Sequence, residues 1–178
     1  CEGLVGSEMC IRDRYKTMVS AKSSAKYIYE TSKTSKSTKT YPNNAFAKQL
    51  KTTAEFINSG LETKVYYVSM GGFDTHAYQS NRQARLLKTY AQAMDVFVND
   101  LEASDSFKDT LVVTFSEFGR RVQQNAAAGT DHGAASNLFI IGKNLRKPGF
   151  YNSSPDLSNI DGNGDLKYTV DFRSVYAC

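Results

Sequence analysis

Residues 64–76, KVYYVSMGGFDTH, join a β-strand signal to a polar loop, and they decide the fold that the sequence predicts. Residues 64–69 are rich in β-branched and aromatic side chains, which favours a strand. The pair Gly71–Gly72 lets the backbone turn sharply and approach a ligand closely. Asp74 and His76 lie two residues apart, so an extended backbone projects both side chains to one side. The stretch therefore predicts a strand that ends in a candidate binding loop.

Two helices and two further strands are predicted around this stretch. Apolar residues at helical spacing predict one helix that starts at Asn43–Asn44 and stops at residues 58–60, and a second helix from about 81 to 103. The apolar runs TLVVTF (110–115) and LFII (138–141) predict strands. Strands joined by a long crossover are expected to pair in parallel, with right-handed connections. We therefore predict an α/β fold in which helices flank a mostly parallel sheet.

The first 40 residues differ from the rest of the chain. Residues 31–40 contain only Ser, Thr and Lys, which cannot bury enough apolar surface to offset the entropy lost on ordering. Residues 4–14 resemble a peptide that recurs at the ends of translated environmental-sequencing contigs, as if from adapter read-through. A short amphipathic starting segment is the alternative. We expect residues 1–40 to be a disordered or artefactual polar segment and residues 41–178 to form one domain.

Charge, hydropathy and cysteine usage exclude several classes of protein. Residues 12–40 carry eight Lys or Arg against Asp13 and Glu30, whereas residues 41–178 carry fourteen basic and fourteen acidic residues and are neutral, so the net charge of +4 arises in the first 40 residues. A nucleic-acid-binding protein is expected to carry positive charge on its folded surface, so we expect no nucleic-acid partner. No apolar run approaches the roughly 18 residues of a membrane span. The odd number of cysteines near the ends of the sequence (Cys1, Cys10 and Cys178) supports neither a disulfide framework nor a CxxC metal site.

The only two histidines of the chain, His76 and His132, both lie in glycine-flanked acidic motifs. His132 belongs to GTDHG, residues 129–133. Zinc binds neutral imidazole nitrogens and carboxylate oxygens, and three protein ligands suffice where one coordination position stays open. The two histidines therefore indicate a metal site. The alternative is that each imidazole forms hydrogen bonds within a polar loop.

Three other polar residues are candidates for the same site. Glu117 follows an apolar strand, where a carboxylate is costly unless it is paired or bound to metal; the alternative is that it turns to solvent or pairs with a neighbouring arginine. Arg120 could hold an anionic group in a catalytic role, although Arg120 and Arg121 also fit a solvated surface. Asp131 is either a metal ligand or a partner that orients an imidazole.

Two further motifs are interpreted as turns. Asn125 fits a loop cap. Residues 161–165, DGNGD, imitate the start of an EF-hand loop, but the sixth position is Leu166 and the twelfth is Phe172 instead of Gly and Glu. The motif therefore predicts an Asp/Asn/Gly turn.

Four segments carry a resemblance to a known family: VYYVSMGGFDTH, LVVTFSEFGRRVQQN, GTDHG and DLKYTVDFRSVYA. In this order they resemble the C-terminal part of the bacterial domain of unknown function 1501 family, in the alkaline-phosphatase-like and sulfatase-like superfamily. The resemblance covers about residues 41–177. It implies an alkaline-phosphatase-like α/β fold of which this chain holds an incomplete, C-terminal portion, and it implies export to the periplasm.

The resemblance also implies a metal-dependent site. Superfamily members use metal ions to hydrolyse or transfer phosphate or sulfate esters, so a small-molecule or glycan ester is the expected substrate. By position, Asp74 and His76 match the first ligand pair of the superfamily, and His132 matches its later histidine. Glu117 falls where a paired aspartate belongs, and Phe118 where its partner histidine or asparagine belongs. The expected cofactor is a divalent metal, zinc first, with calcium or magnesium as alternatives.

The resemblance further implies that the nucleophile of the superfamily, a Ser, Thr or modified Cys, comes from an N-terminal half that is expected to be missing from these 178 residues. The expectation is a C-terminal part of a metal-dependent hydrolase-like protein, inactive when isolated. The alternative is a non-catalytic homologue with a binding or structural role, which Phe118 in a ligand position favours.

Overall fold

The computed structural model describes residues 2–177, with side chains described from Ile11 onward. The chain divides into two compact units, one that extends to Val68 and one that begins at Ser69. The boundary expected after residue 40 stays a prediction. Within residues 2–177, no helix is both long and apolar enough to cross a membrane.

The first unit contains two helices. Helix α1 (Glu2–Thr31) is long, and its side chains from Ile11 to Glu30 are exposed to solvent. Helix α2 (Ala45–Asn58) begins where the Asn43–Asn44 signal predicts, because the side chain of Asn44 accepts a hydrogen bond from the backbone N–H of Ala47. The predicted helix is therefore confirmed. Its buried face consists of Phe46, Ala47, Leu50, Thr53 and Ala54.

The strand predicted at residues 64–69 does not form. The segment has no ladder partner among the described residues, although its composition is typical of a strand. Val65 and Tyr67 are 82% and 76% exposed. A strand is stabilised by its neighbours through backbone hydrogen bonds and cross-strand side-chain contacts, so β propensity alone does not produce one.

Helix α3 (Gln79–Ala103) is the main helix of the second unit and confirms the helix predicted from about residue 81. A short 3-10 helix (Phe107–Asp109) and strand β1 (Val112–Thr114) follow. The hydroxyl groups of Tyr90 and Thr114 lie 2.8 Å apart in a hydrogen bond, which fixes α3 against one side of β1. The buried apolar residues of α3 recur at helical spacing: Ala93, Met94, Phe97 and Leu101.

Two small antiparallel sheets complete the second unit. Strand β1 pairs with β4 (Phe139–Ile141), so both predicted strands are confirmed in shorter form. Strand β2 (Gly119–Arg120) pairs with β3 (His132–Gly133), and the register places Arg120 opposite His132. Helix α4 (Phe172–Tyr176) is the last element.

The prediction of an alkaline-phosphatase-like α/β fold with a mostly parallel sheet is wrong. The described residues contain two sheets of two strands each, and both are antiparallel. Two physical reasons account for the difference. Residues 64–69 add no strand, and the connection from β1 to β4 contains the β2–β3 hairpin instead of a crossover helix. A hairpin reverses the chain, so β4 returns antiparallel to β1.

Candidate metal centre

Two loops of the second unit carry most of the predicted site. The first, L1, is residues 70–78 and leads into α3; the second, L2, is residues 121–131 and joins β2 to β3. Ala77 of L1 forms an antiparallel bridge with Ala128 of L2. The backbone N–H groups of Tyr78 and Gln79 donate to carbonyls of L2 at 3.0 and 2.9 Å. The loops are therefore joined through their backbones.

Gly129 makes this contact between the loops possible. A Cβ atom at position 129 would lie 2.2 Å from the carbonyl carbon of His76 and 2.6 Å from the nitrogen of Ala77. Both neighbours are backbone atoms and cannot move aside independently of the loop. The glycine of GTDHG is therefore required by the close approach of L1 to L2.

Asp74, His76 and His132 converge at the junction of the loops. Oδ1 of Asp74 lies 3.0 Å from Nε2 of His76 and 2.7 Å from Nε2 of His132. The three atoms lie within 4.8 Å of one another, and each residue is exposed. Asp74 and His76 come from L1, whereas His132 comes from β3. The group can therefore present two imidazole nitrogens and one carboxylate oxygen to a cation reached directly from solvent.

Asp131 lies behind His76. Its Oδ1 atom is 3.2 Å from Nδ1 of His76, the ring nitrogen that does not face Asp74. The same Oδ1 atom accepts a hydrogen bond from the side-chain amide of Asn125 at 3.2 Å. These two hydrogen bonds, that from Asn125 first, lower the pKa of Asp131 below its ordinary value. Asp131 thus has the position of a residue that orients a ligand.

Asp74 is also held as a carboxylate. The hydrogen bond from His132 lowers the pKa of Asp74, and the charges of His76, His132 and Arg120 act in the same direction. A low pKa keeps the oxygen atoms of Asp74 available for a cation across the ordinary pH range.

Both ring nitrogens of His76 face carboxylate oxygens, at 3.0 Å for Nε2 and 3.2 Å for Nδ1. A neutral imidazole carries only one N–H, so it can satisfy only one of these two contacts by donating. The second contact becomes favourable when a cation, either a proton or a metal ion, is placed on the other nitrogen. The geometry around His76 therefore suits a cation between the imidazole and Asp74.

Arg120 contacts both loops. Its Nη1 donates to the carbonyl of Thr130 at 2.6 Å, and its Nη2 donates to the carbonyl of Phe73. Nη2 also lies 3.6 Å from Oδ1 of Asp74, and the side chain is only 19% exposed. The guanidinium group therefore links Phe73 and Thr130, which directly precede Asp74 and Asp131 in the sequence. Its predicted catalytic role in holding an anion stays a prediction.

Phe118 lies against one face of His132. The two rings are stacked, with centroids 4.0 Å apart and an interplanar angle of 7°. The guanidinium carbon of Arg120 lies 5.0 Å from the centre of the Phe118 ring. The aromatic ring thus limits rotation of His132 and covers one side of the group.

Glu117 is not brought into the group of possible ligands. It is exposed, and the group formed by the described residues consists of Asp74, His76 and His132. A role for Glu117 as a metal ligand stays a prediction.

Sequence reasoning treated Asn125 as a loop cap and did not consider Gln79. The Nε2 atom of Gln79 donates to the hydroxyls of Thr75 and Thr130, at 2.9 and 3.0 Å, and so connects L1 to L2. Its position at the start of α3, beside the GGFDTH motif, is the only signal in the sequence that could have indicated this role.

The DGNGD motif forms the predicted turn. Oδ1 of Asp161 accepts hydrogen bonds from the backbone N–H groups of Asn163 and Asp165, each at 2.9 Å. These two bonds lower the pKa of Asp161. Asp165 in turn accepts a hydrogen bond from Nε of Arg121 at 3.0 Å. This bond connects the turn to Arg121, the first residue after β2.

The family of the chain follows from comparison with known proteins. The family model described as "Protein of unknown function (DUF1501)" matches residues 9–164, which is most of the chain. No curated protein and no solved structure gives a match. The match includes both loops, Arg120 and every residue of the candidate metal group. The chain therefore belongs to the DUF1501 family of proteins of unknown function.

Proposed function

We propose that the protein binds a divalent metal ion through Asp74, His76 and His132, and that this ion serves the hydrolysis of phosphate or sulfate esters. The observation that carries the proposal is the convergence of the three ligand atoms within 4.8 Å on an exposed surface.

The chemistry of the donors favours zinc. Calcium and magnesium prefer oxygen ligands, whereas zinc combines imidazole nitrogen with carboxylate oxygen. Zinc bonds of about 2.0–2.2 Å in a tetrahedral arrangement separate neighbouring ligand atoms by roughly 3.3 Å. The observed separations of 3.0 and 2.7 Å from Asp74 Oδ1 are shorter than this, and all three ligand atoms lie within 4.8 Å of one another, so zinc binding requires a local adjustment of the three exposed side chains.

The number of ligands and their exposure support a reactive site more than a structural one. Structural zinc sites are usually closed by four protein ligands, whereas reactive sites use three. The side chains of Asp74, His76 and His132 are 64%, 49% and 47% exposed. When bound, a divalent metal supplies Lewis-acid polarisation of an ester oxygen. The three residues hold the ion at the surface, and Asp131 orients His76.

The balance of charge supports an anionic substrate. A dication offsets the carboxylates of Asp74 and Asp131, and the guanidinium group of Arg120 lies 3.6 Å from Asp74. The metal-loaded group therefore carries one net positive charge when both imidazoles are neutral. Such a site attracts a phosphate or sulfate ester by the usual rules of electrostatics.

A non-catalytic metal-binding role is the second candidate. The observation that favours it is the stacking of Phe118 on His132, which places an apolar ring beside a ligand. In that case zinc binds to the group but phosphate and sulfate do not.

Isothermal titration of zinc into the full chain tests the metal site. The parent protein is expected to bind one zinc ion, and Asp74→Asn, His76→Ala and His132→Ala are each expected to weaken binding by more than about 10-fold. Asp156→Asn is the matched control, because Asp156 is an exposed carboxylate that accepts hydrogen bonds within a local turn. If both histidine variants bind zinc as the parent does, the two histidines are only loop residues and the proposal is wrong.

A second titration tests whether the metal-loaded site binds the anionic group of the proposed substrate. Phosphate and sulfate are titrated into the zinc-loaded chain and into the zinc-free chain. Binding of either anion only when zinc is present supports the hydrolase proposal. Zinc binding without affinity for either anion favours the non-catalytic role.

A further inference from the structure

The side chain of Asn125 uses all of its hydrogen-bonding capacity at the junction of the two loops. Its Nδ2 atom donates to the backbone carbonyl of His76 at 3.0 Å and to Oδ1 of Asp131 at 3.2 Å. Its Oδ1 atom accepts from the backbone N–H groups of Ala127 and Gly129, each at 3.0 Å. An amide group offers two donors and two acceptor sites, so each of them is occupied.

These contacts determine which way the amide points. The backbone N–H groups of Ala127 and Gly129 can only donate, so the atom that faces them must be oxygen. The carbonyl of His76 and the carboxylate of Asp131 can only accept, so the atom that faces them must be nitrogen. A reversed amide would place like groups against one another at all four contacts.

The direction of the amide has a consequence for His76. Asp131 accepts from Asn125 on the same Oδ1 atom that faces Nδ1 of His76, and a carboxylate has no proton to donate. Nδ1 must therefore carry the N–H in this hydrogen bond. Nε2 of a neutral imidazole then keeps its lone pair, and Nε2 is the atom that faces Oδ1 of Asp74.

A competing arrangement would place the proton on Nε2, where Asp74 could accept it. Oδ1 of Asp74 already forms the shorter hydrogen bond, at 2.7 Å, with Nε2 of His132. The contact of His76 with Asp131 has hydrogen-bond geometry, whereas its contact with Asp74 is a close approach of ionisable groups. The arrangement with the proton on Nδ1 is therefore favoured.

We propose that Asn125 is a positioning residue that orients Asp131 and so holds His76 in the tautomer protonated on Nδ1, with Nε2 free for a metal ion. The role of Nε2 as a metal ligand rests on the proposed function. The tautomer of His76 is a property of the metal-free chain and can be tested without a metal ion. Partners of this kind, one shell away from the metal, fix the ring orientation and the tautomer of ligating histidines.

The variant Asn125→Asp separates this role from that of a loop cap. An aspartate keeps the oxygen that accepts from Ala127 and Gly129, so the turn in L2 retains its cap. It loses both N–H donors and places a second carboxylate against Asp131. Asn99→Asp is the matched control, because Asn99 also donates from its amide to an aspartate, Asp95, but on the exposed surface of α3.

The experiment measures imidazole nitrogen shifts by NMR in the full, metal-free chain labelled with ¹⁵N, at about pH 8, where histidine is generally neutral. We expect His76 to carry its proton on Nδ1 in the parent and in Asn99→Asp, and to move toward the Nε2 tautomer in Asn125→Asp. Zinc affinity measured on the same samples is expected to fall about 10- to 100-fold in Asn125→Asp alone.

An unchanged tautomer of His76 in folded Asn125→Asp overturns the proposal, as does a parent spectrum with the proton on Nε2. If Asn125→Asp does not fold, Asp131→Ala replaces it, because alanine removes the oxygen that accepts a hydrogen bond from Nδ1 of His76. Retention of the Nδ1 proton in that variant also overturns the proposal. A parent chain that shows the Nδ1 tautomer but binds no zinc refutes the metal function and leaves the role of Asn125 intact.

Discussion

The Oδ1 atom of Asp74 lies 2.7 Å from Nε2 of His132, although 58 positions of the chain separate the two residues. The contact depends on two structural features. The bridge between L1 and L2 brings the loops together, and the pairing of β2 with β3 places His132 opposite Arg120. The candidate metal group is therefore a product of backbone pairing.

Zinc is expected to stabilise the folded chain. A ligand that binds only the folded state at 100 times its Kd adds about 2.7 kcal/mol to the free energy of unfolding. Chemical denaturation with and without zinc measures this increase, and addition of a chelator should reverse it. The variant His132→Ala is expected to show little increase at the same zinc concentration. An equal increase in the free energy of unfolding of both proteins would show that zinc binds at another position of the chain.

Substitution of Gly129 by alanine is expected to separate the two loops. The new Cβ atom would lie 2.2 Å from the carbonyl carbon of His76, so the backbone must shift. We expect a loss of about 1–3 kcal/mol in the free energy of unfolding, as is usual for overpacking, together with weaker zinc binding.

Gly71→Ala is the control for this substitution. It lies in L1, and a Cβ atom there would have no neighbour within 4 Å. It should leave the free energy of unfolding unchanged or raise it slightly, because alanine restricts the unfolded chain. Equal behaviour of the two variants would show that the contact of Gly129 with His76 does not hold the loops together.

Arg120→Ala is expected to reduce both stability and zinc affinity. The carbonyls of Phe73 and Thr130 would each lose a charged donor, at a cost of about 1–3 kcal/mol in the free energy of unfolding. Arg82→Ala, at an exposed position on α3, is the control and should have little effect. Urea denaturation and zinc titration on the same samples measure both quantities. Unchanged zinc affinity with weaker phosphate or sulfate binding would instead support the anion-holding role predicted for Arg120.

The turn at Asp161 is expected to respond to acid. The pKa of Asp161 lies below its ordinary value of 3.8, because the backbone N–H groups of Asp165 and Asn163 donate to the carboxylate. A carboxyl whose pKa is lower in the folded chain contributes stability above its unfolded pKa, and this contribution disappears as the pH falls through the folded pKa. An NMR titration should therefore show the amide protons of residues 163 and 165 shifting together at a midpoint below 3.8. In Asp161→Asn these amide protons should not show that transition; if they still do, another group causes it.

Local patterns predicted helices α2 and α3, whereas helix α1 lies in the segment expected to be disordered or artefactual. Helix α2 has a polar cap, Asn44, and a stop signal at residues 58–60, and both act over a few residues only. Helix α3 shows its apolar stripe directly in the sequence. These signals are short-range, so a single sequence contains them in full.

The pairing of the strands could not be predicted from local sequence patterns. Residues 64–69 have the composition of a strand but lack a ladder partner within residues 2–177, and pairing is a property of two segments. Residues 115–138 contain the β2–β3 hairpin, which no run of β-branched residues marks in advance. The prediction of a parallel sheet rested on the long crossovers between the predicted strands and on the family resemblance, whereas the direction of pairing depends on this hairpin.

The candidate site was predictable in its residue types but not in its supporting contacts. The chain has only two histidines, each in a short motif that contains aspartate and glycine, and this pattern indicated residues that the structure places together. The difference between Glu117, which lies outside the group, and Asp131, which lies behind His76, depends on the direction in which each side chain leaves a loop. Spacing in the sequence does not contain that information.

The register of the β2–β3 hairpin makes assembly of the site an all-or-none event. Successive side chains on a strand point to opposite faces, so a slip of one residue would turn His132 away from Asp74 and bring Asp131 or Gly133 opposite Arg120. A chain with the slipped pairing would keep a hairpin of nearly the same length but would have no third ligand. An insertion or deletion that shifts this register is therefore expected to harm the site more than most substitutions in the hairpin, because it changes which residue lies opposite Arg120.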